Sequence, residues 1–372
     1  MRPFLIVAGD FVSTGGMDMA NLALARHLAK RGYPLHLVAH RVDAELAAAP
    51  NVRFHRVPKP GGSYFAGEPL LDRAGRRQAS LVAAEGGCVI VNGGNCRWPG
   101  AVNWVHYVHD GHEPSAAGWR RWLRLGIHLA YTRQERAALR GARLVIANSD
   151  RTRRDVERTG VAGQRVRRVY YGSDGLRFRP TSAVERDTAR RELGWPRARA
   201  IAVFVGALGD RHKGFDTLFA AWHGIDADLV VVGDGAERRE WEERSRAERR
   251  PIRFLGRRDD VPRILAACDA LVSPARYEAY GLGVHEAICA GLPAIAPRDS
   301  GVAERYPDGL RDLLLSDPED AAELTAKLAL WHANRETFAA RARPFAGQML
   351  ARGWDDMGRE IVELVEAAHG ES

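Results

Sequence analysis

Residues 270–296, ALVSPARYEAYGLGVHEAICAGLPAIA, decide the fold. The run from Ala270 to Ser273 is short, apolar and closed by Pro274, which cannot donate to a ladder, so it reads as a buried parallel strand. Leu292 to Ala296 reads the same way. A loop and a helix from about Leu282 to Ala290 lie between the two. Gly281 and Gly283 stand where loop becomes helix, although glycine inside a helix costs about 1 kcal/mol relative to alanine. Glu278 and Glu286 flank that turn. A glycine turn that brings bare backbone to the carboxyl end of a strand, followed by the unpaired amides of a helix N-terminus, suits phosphate; the dipole contributes roughly 0.3–2 kcal/mol. A carboxylate against phosphates would repel them. Glu286, one turn into the helix, therefore belongs with the hydroxyls of a ribose, and Glu278 lies at the far end of a diphosphate, beside the group being transferred.

The same strand–loop–helix plan runs outward in both directions. Phe4 to Ala8, Leu35 to Val38, Val52 to Val57, Cys88 to Val91, Val102 to Val108, Leu144 to Ala147 and Arg165 to Tyr170 are strand candidates, and Met17 to Ala29 carry helical spacing that Gly32 ends. The turn-rich GSDGLRFRPTSAVERD then breaks the pattern. A second cycle begins at Ile201 to Val205 and continues through Leu229 to Val232, Ile252 to Leu255 and the opening stretch. Alternating strands and helices give parallel sheets with right-handed crossovers. The expectation is an α/β protein of two Rossmann-like doubly wound domains, 1–177 and 178–347, with a ligand crevice at the carboxyl ends of their strands. A final helix, 348–372, packs back on the first domain with Trp354, Met357, Ile361, Leu364 and Val365 on one face.

Composition narrows the class. In 372 residues, 45% are hydrophobic, enough for two cores. Cys88, Cys96, Cys268 and Cys289 are scattered, which fits a reducing compartment and no disulfide framework or zinc site. No run approaches the ~20 apolar residues of a membrane span, and the N-terminus lacks a signal-peptide pattern. A cytoplasmic protein is expected. The formal charge is +8, yet Lys30, Lys59, Lys213 and Lys327 are the only lysines among 55 basic residues. A GC-rich genome accounts for such arginine bias; attraction to nucleotide phosphates or lipid headgroups is the functional alternative. Residues 118–141, GWRRWLRLGIHLAYTRQERAALRG, pose the same choice. Either Trp119, Trp122, Leu125 and Leu129 pack on the N-domain, or the helix makes peripheral contact with the inner membrane face.

With these residues in view, the chain resembles glycosyltransferase family 4, retaining enzymes of GT-B fold. The Glu-x7-Glu pattern of Glu278 and Glu286 looks like its signature. GDFVSTGGMDMANLALARHLAKRG resembles its Gly-Gly loop and first helix, VIANSDRTRRDV its Asn-Ser segment, and VYYGSDGLRFRP its linker. VFVGALGDRHKGFDTLFAAW, LVVVGDGAE and APRDSGVAERYPDG resemble motifs of its C-domain. The resemblance covers nearly the whole chain and implies two domains facing each other across a cleft. It implies a nucleotide diphosphate-sugar donor and a hydroxyl acceptor (glycan, lipid-linked or small molecule), with no metal, no other cofactor and no nucleic-acid partner.

The resemblance also distributes roles. Lys213 contacts the donor diphosphate, as a point charge on a flexible stem can. Ala207 stands where the family usually has arginine, and Arg211 is the candidate replacement. Gly281, Leu282 and Gly283 offer backbone to the donor, and Gly15 and Gly16 bring amides near the donor phosphates and acceptor. His109, with Asp110 beside it, contacts the transferred sugar or steadies the acceptor; by pleat phase, only one of His106 and His109 is expected to face the site. Arg257 helps recognise the base. In such enzymes the leaving diphosphate is thought to deprotonate the incoming hydroxyl. Rivals are a metal-dependent transferase using Asp226-Ala227-Asp228, which precedes its strand and so lies at the wrong edge, and a Rossmann dehydrogenase, whose third glycine is missing. A sugar-nucleotide epimerase, a phosphorylase and a non-catalytic sugar-binding protein remain as alternatives.

Overall fold

The computed structural model describes residues 1–111, 119–209 and 211–370, with all their side chains except those of 110 and 119–124. It divides into two compact units, Met1–Gly172 with Gly353–Ser372, and Ser173–Arg352. The first unit runs β1 (Phe4–Val7), β2 (Asp10–Phe11), α1 (Gly16–Lys30), β3 (Leu35–Ala39), β4 (Arg41–Val42), α2 (Ala44–Ala47), β5 (Val52–Arg56), α3 (Tyr64–Ala84), β6 (Cys88–Val91), β7 (Val102–Val105), α4 (Trp119–Gly141), β8 (Leu144–Ala147), α5 (Asp150–Arg158) and β9 (Val166–Arg168). Its seven-stranded sheet has the order β5-β3-β1-β6-β7-β8-β9, all parallel. The central strands are covered on both faces, hence continuous apolar runs such as FLIV and CVIV rather than alternation.

The second unit runs α6 (Ala183–Leu193), β10 (Ala200–Val205), α7 (Phe215–Ala221), β11 (Ala227–Val232), α8 (Arg238–Ala247), β12 (Ile252–Gly256), α9 (Val261–Ala266), β13 (Ala270–Val272), α10 (Leu282–Cys289), β14 (Ala294–Pro297), β15 (Leu314–Leu315), α11 (Ala321–Ala333) and α12 (Arg335–Leu350). Its sheet order is β12-β11-β10-β13-β14-β15, again parallel. In each sheet the strand order reverses beside the first strand, at β1/β6 and at β10/β13. Open α/β sheets bind ligands beyond the carboxyl ends at such points.

Helix α13 (Trp354–Gly370) returns to the first unit. Met357, Ile361, Val362 and Val365 are buried, Asp355 meets the His27 ring at 3.1 Å, and Arg143 donates to the carbonyl of Ala368 at 3.0 Å. The boundary expected at 177/178 falls at 172/173, and the return at 353 rather than 348. Of the residues offered for packing in α4, Leu129 is 50% exposed and Leu125 is half-buried; the side chains of Trp119 and Trp122 lie outside the described residues. Among the described residues no helix is long and apolar enough to cross a membrane.

Candidate functional site

In the second unit the chain leaves β10 and forms a loop closed by Gly214. Gly214 has φ +70°, and a side chain there would run into the carbonyl of Pro274. Only glycine lets this loop lie against the segment after β13. Lys213 is thereby brought to Glu278, its Nζ 2.8 Å from Oε2. These residues, expected one on phosphate and one on sugar, meet in a direct ion pair. Arg276 ties the two loops together. Its amide donates to the carbonyl of His212 at 2.9 Å, and its guanidinium meets both oxygens of Asp216 and the carboxylate of Glu319 at 2.7–2.9 Å. Arg211 is held by the same Asp216, through Nε at 2.9 Å and Nη2 at 2.8 Å. The guanidinium offered as a phosphate ligand is thus already engaged.

Gly281 caps α10 with φ +99°, and a Cβ there would meet Val302 at 3.0 Å and Glu278 at 3.3 Å. Gly283 differs from its expected role. It lies inside the helix with ordinary backbone, and an added Cβ would find nothing within 4 Å. One glycine makes the turn; the other keeps open the space over the first helical turn. No side chain caps α10, so the amides of Leu282, Gly283 and Val284 have no carbonyl behind them in the helix. His285 fixes the helix from beneath: its ring meets Ser173 Oγ and Tyr280 Oη, each at 2.7 Å. Burial, then the nearby Arg305, push this histidine down to about 3, so it is neutral. Glu286 is half-buried. Burial pushes its carboxyl up to about 7, with Arg177 pulling down and Asp174 pushing up. Arg257 lies exposed just after β12. Asp228, of the rival acidic pair, is at the start of β11 and bound to Arg199 at 2.5 Å, which removes it from the carboxyl edge.

The first unit has its own cavity of about 440 Å³ beyond the carboxyl ends of β1, β3, β6 and β7. Met17 and Asp18 of α1, Tyr64 and Glu68 of α3, Asn92 after β6, and Tyr131 and Glu135 of α4 line it. Gly15 caps α1 at φ +101° and Gly16 opens it. β7 stops at Val105, so His109 is not on the strand but in a short 3₁₀ turn, His109–Gly111. Strand alternation therefore does not separate the two histidines, and His106 and His109 both line the cavity. His106 is buried, between Tyr171 Oη at 2.6 Å and Asn21 Oδ1 at 3.0 Å, and burial pushes it down to about 3. Glu135 accepts from the His109 amide at 2.8 Å and meets its Nδ1 at 3.0 Å, while the ring stacks on Tyr131. The side chain of Asp110 lies outside the described residues. Glu68, Glu135, Asp18 and Tyr131 were not singled out from sequence, because nothing local separates them from ordinary helix-surface residues. Among the described residues no cluster of three or more His, Cys, Asp or Glu is arranged to hold a metal.

The model of "Glycosyltransferase Family 4" matches residues 14–174, and that of "Glycosyl transferases group 1" matches 199–334. A D-inositol 3-phosphate glycosyltransferase of Corynebacterium urealyticum is 29% identical, over 71% of this chain and 65% of that protein. One from Thermomonospora curvata is 26% identical, over 95% and 91%. Among solved structures, sucrose-phosphate synthase from Thermosynechococcus elongatus superimposes with TM-score 0.79 at 22% identity, covering 100% of both chains. Anabaena HepE, in complex with UDP and glucose, gives 0.70 at 20% identity, over 98% and 100%. The two parallel-sheet units and these neighbours make the fold GT-B.

Proposed function

The chain belongs to glycosyltransferase family 4 and transfers glycosyl groups, and on that premise we propose a retaining, metal-independent transfer from a nucleotide diphosphate-sugar to a hydroxyl acceptor. The observation that carries this reading is the Lys213–Glu278 pair beside the open first turn of α10, at the switch point of the second sheet. A cation, unpaired helix amides and a cleared backbone surface together suit a diphosphate. The neighbour that holds UDP and glucose shares the fold and is in keeping with such a donor. An epimerase, a phosphorylase or a non-catalytic binder is not favoured beside relatives named as transferases.

In the donor complex the ammonium of Lys213 turns to the diphosphate, and the released Glu278 takes hydroxyls of the sugar. Glu286 takes the ribose hydroxyls; a carboxyl poised near neutrality both donates and accepts there. Arg257 lies toward the base, and the amides of Gly15 and Gly16 toward the phosphates and acceptor. As the bond from the anomeric carbon to the diphosphate oxygen breaks, the acceptor oxygen bonds to that carbon on the same face and passes its proton to the departing phosphate. Lys213 and the amides of Leu282 and Gly283 stabilise the charge on the leaving group, the electrostatic term that dominates such catalysis. Arg211 joins them only by leaving Asp216. His109, braced by Glu135 and Tyr131, orients the acceptor.

The role split is measurable with UDP- and GDP-sugars by calorimetric titration and steady-state kinetics. Lys213→Ala should lower kcat by about 10²–10³-fold. Glu286→Ala should raise the donor Kd by roughly 10-fold, the worth of one hydrogen bond to a charged group. Equal, small effects from both would remove the assignment. NMR of the product should show the donor's anomeric configuration, and EDTA should leave turnover unchanged.

A further inference from the structure

We propose that the cavity of the first unit takes an acceptor whose hydroxyls stand beside a protonated amine, and that Asp18 and Glu68 select it against a phosphorylated acceptor. The inference rests on the glycosyl-transfer reading above, with this cavity as the acceptor side.

Asp18, Glu68 and Glu135 line the cavity, and among the described residues no lysine or arginine does. Glu135 is committed to His109. Glu68 is 9% exposed and has neutral donors, the amide of Gln134 at 3.4 Å and the hydroxyl of Tyr131. The cations closest to Asp18 are engaged elsewhere: Arg41 on Asp10 at 2.8 Å, and Lys59 over the Tyr64 ring at 3.7 Å. Burial pushes both carboxyls up to about 7; Asp10 adds to the rise at Asp18, and at Glu68 His109 lowers while Glu135 raises. Carboxyls drawn out of water, as Asp18 is in part and Glu68 almost wholly, and faced only by cations engaged with other groups, are a costly arrangement that a cationic ligand relieves.

Asn92 gives an independent indication. It is 4% exposed and lines the same cavity; its Nδ2 donates to the carbonyl of Trp104 at 3.1 Å, but its Oδ1 accepts no hydrogen bond. Buried polar atoms are normally paired, so this oxygen calls for a donor. The two carboxyls ask for N–H or O–H groups, and the Asn92 oxygen, without a donor in the cavity wall, adds to the acceptor character there. An ammonium among hydroxyls supplies both. A phosphate, as in the inositol 3-phosphate of the relatives' names, brings acceptor oxygens and two further negative charges against three carboxylates.

The test is a kcat/KM comparison at pH 7.5 for one set of rings: 2-deoxystreptamine, myo-inositol and D-inositol 3-phosphate, each with a turned-over donor. The aminocyclitol should exceed myo-inositol by tenfold or more, and the phosphate should fall below it by a similar factor. The isosteric variants Asp18→Asn and Glu68→Gln should each cut the aminocyclitol-to-inositol ratio by tenfold or more. A phosphate used as well as the amine overturns the proposal, as does a ratio unmoved by both variants. The wild-type series decides by itself should a variant misfold. Transfer to none of the three, with slow donor hydrolysis intact, overturns this acceptor class and leaves glycosyl transfer standing. Loss of donor binding as well would strike the reading beneath it.

Discussion

Glu286 holds its proton more tightly than an ordinary glutamate, and this ties stability to function. Its folded value is pushed from 4.5 to about 7 by burial. Below about pH 4.5 both folded and unfolded chains keep the proton; between 4.5 and 7 the unfolded chain releases it first, so stability falls as pH rises and levels off above 7. Glu286→Gln should therefore stabilise the ligand-free protein at pH 8 and not at pH 4. Because Glu286 retains some solvent contact, we expect roughly 1 kcal/mol, about 2–4 °C in Tm for a unit of this size. A Tm difference independent of pH would refute the assignment. Lys213, Glu278 and Glu286 were legible in the sequence because their spacing lies within short local motifs. Asp18, Glu68, Glu135 and Tyr131 come from α1, α3 and α4, and only the sheet's crossovers bring them into one cavity. No local pattern marks them.

The turn into α10 separates two uses of glycine that the sequence shows as one. Gly281 is needed for its backbone: φ is +99° and Val302 is 3.0 Å from an added Cβ. Gly281→Ala should destabilise by about 1–2 kcal/mol, visible as a lower Tm, because strain and contact add. Gly283 is needed for its emptiness. Gly283→Ala should raise stability by about 0.5–1 kcal/mol, the helix gain of alanine over glycine, while donor KM rises as the methyl occupies ligand space. A Gly283→Ala enzyme with unchanged donor KM would mean that the diphosphate lies elsewhere. Strand ends were misjudged for a related reason. The strand candidate from Val102 runs to Val108, but β8 ends at Ala147, opposite Val105, and pairing stops with the partner. Val108 is buried beyond the end of β7. Hydrophobicity reported the burial, and the neighbouring strand set the length.

At the scale of the whole chain, alternation of strands and helices was enough to foresee two parallel sheets. It could not fix the boundary, because that depends on residues far apart in sequence. Gly172 lies so close to the backbone of Gly353 and Trp354 that any side chain would clash, whereas the amide of Ser173 donates to the carbonyl of Arg352 at 2.9 Å. These contacts assign 172 to the first unit and 173 to the second. Each unit carries a separate site, so the proposed division of labour predicts where a nucleotide alone should act. Hydrogen exchange of the full chain with saturating UDP or GDP should slow at 206–214 and 281–290, since ligand binding raises the cost of local opening there; at 100-fold excess over Kd the linkage is ~2.7 kcal/mol, close to 100-fold in rate. The segment 92–109, lining the other cavity, should exchange as before. Amides 15–20 at the start of α1 judge the Gly15 and Gly16 assignment: slowing there places them on the donor, and unchanged exchange removes them from it. Protection confined to 92–109 would reverse the roles of the two units.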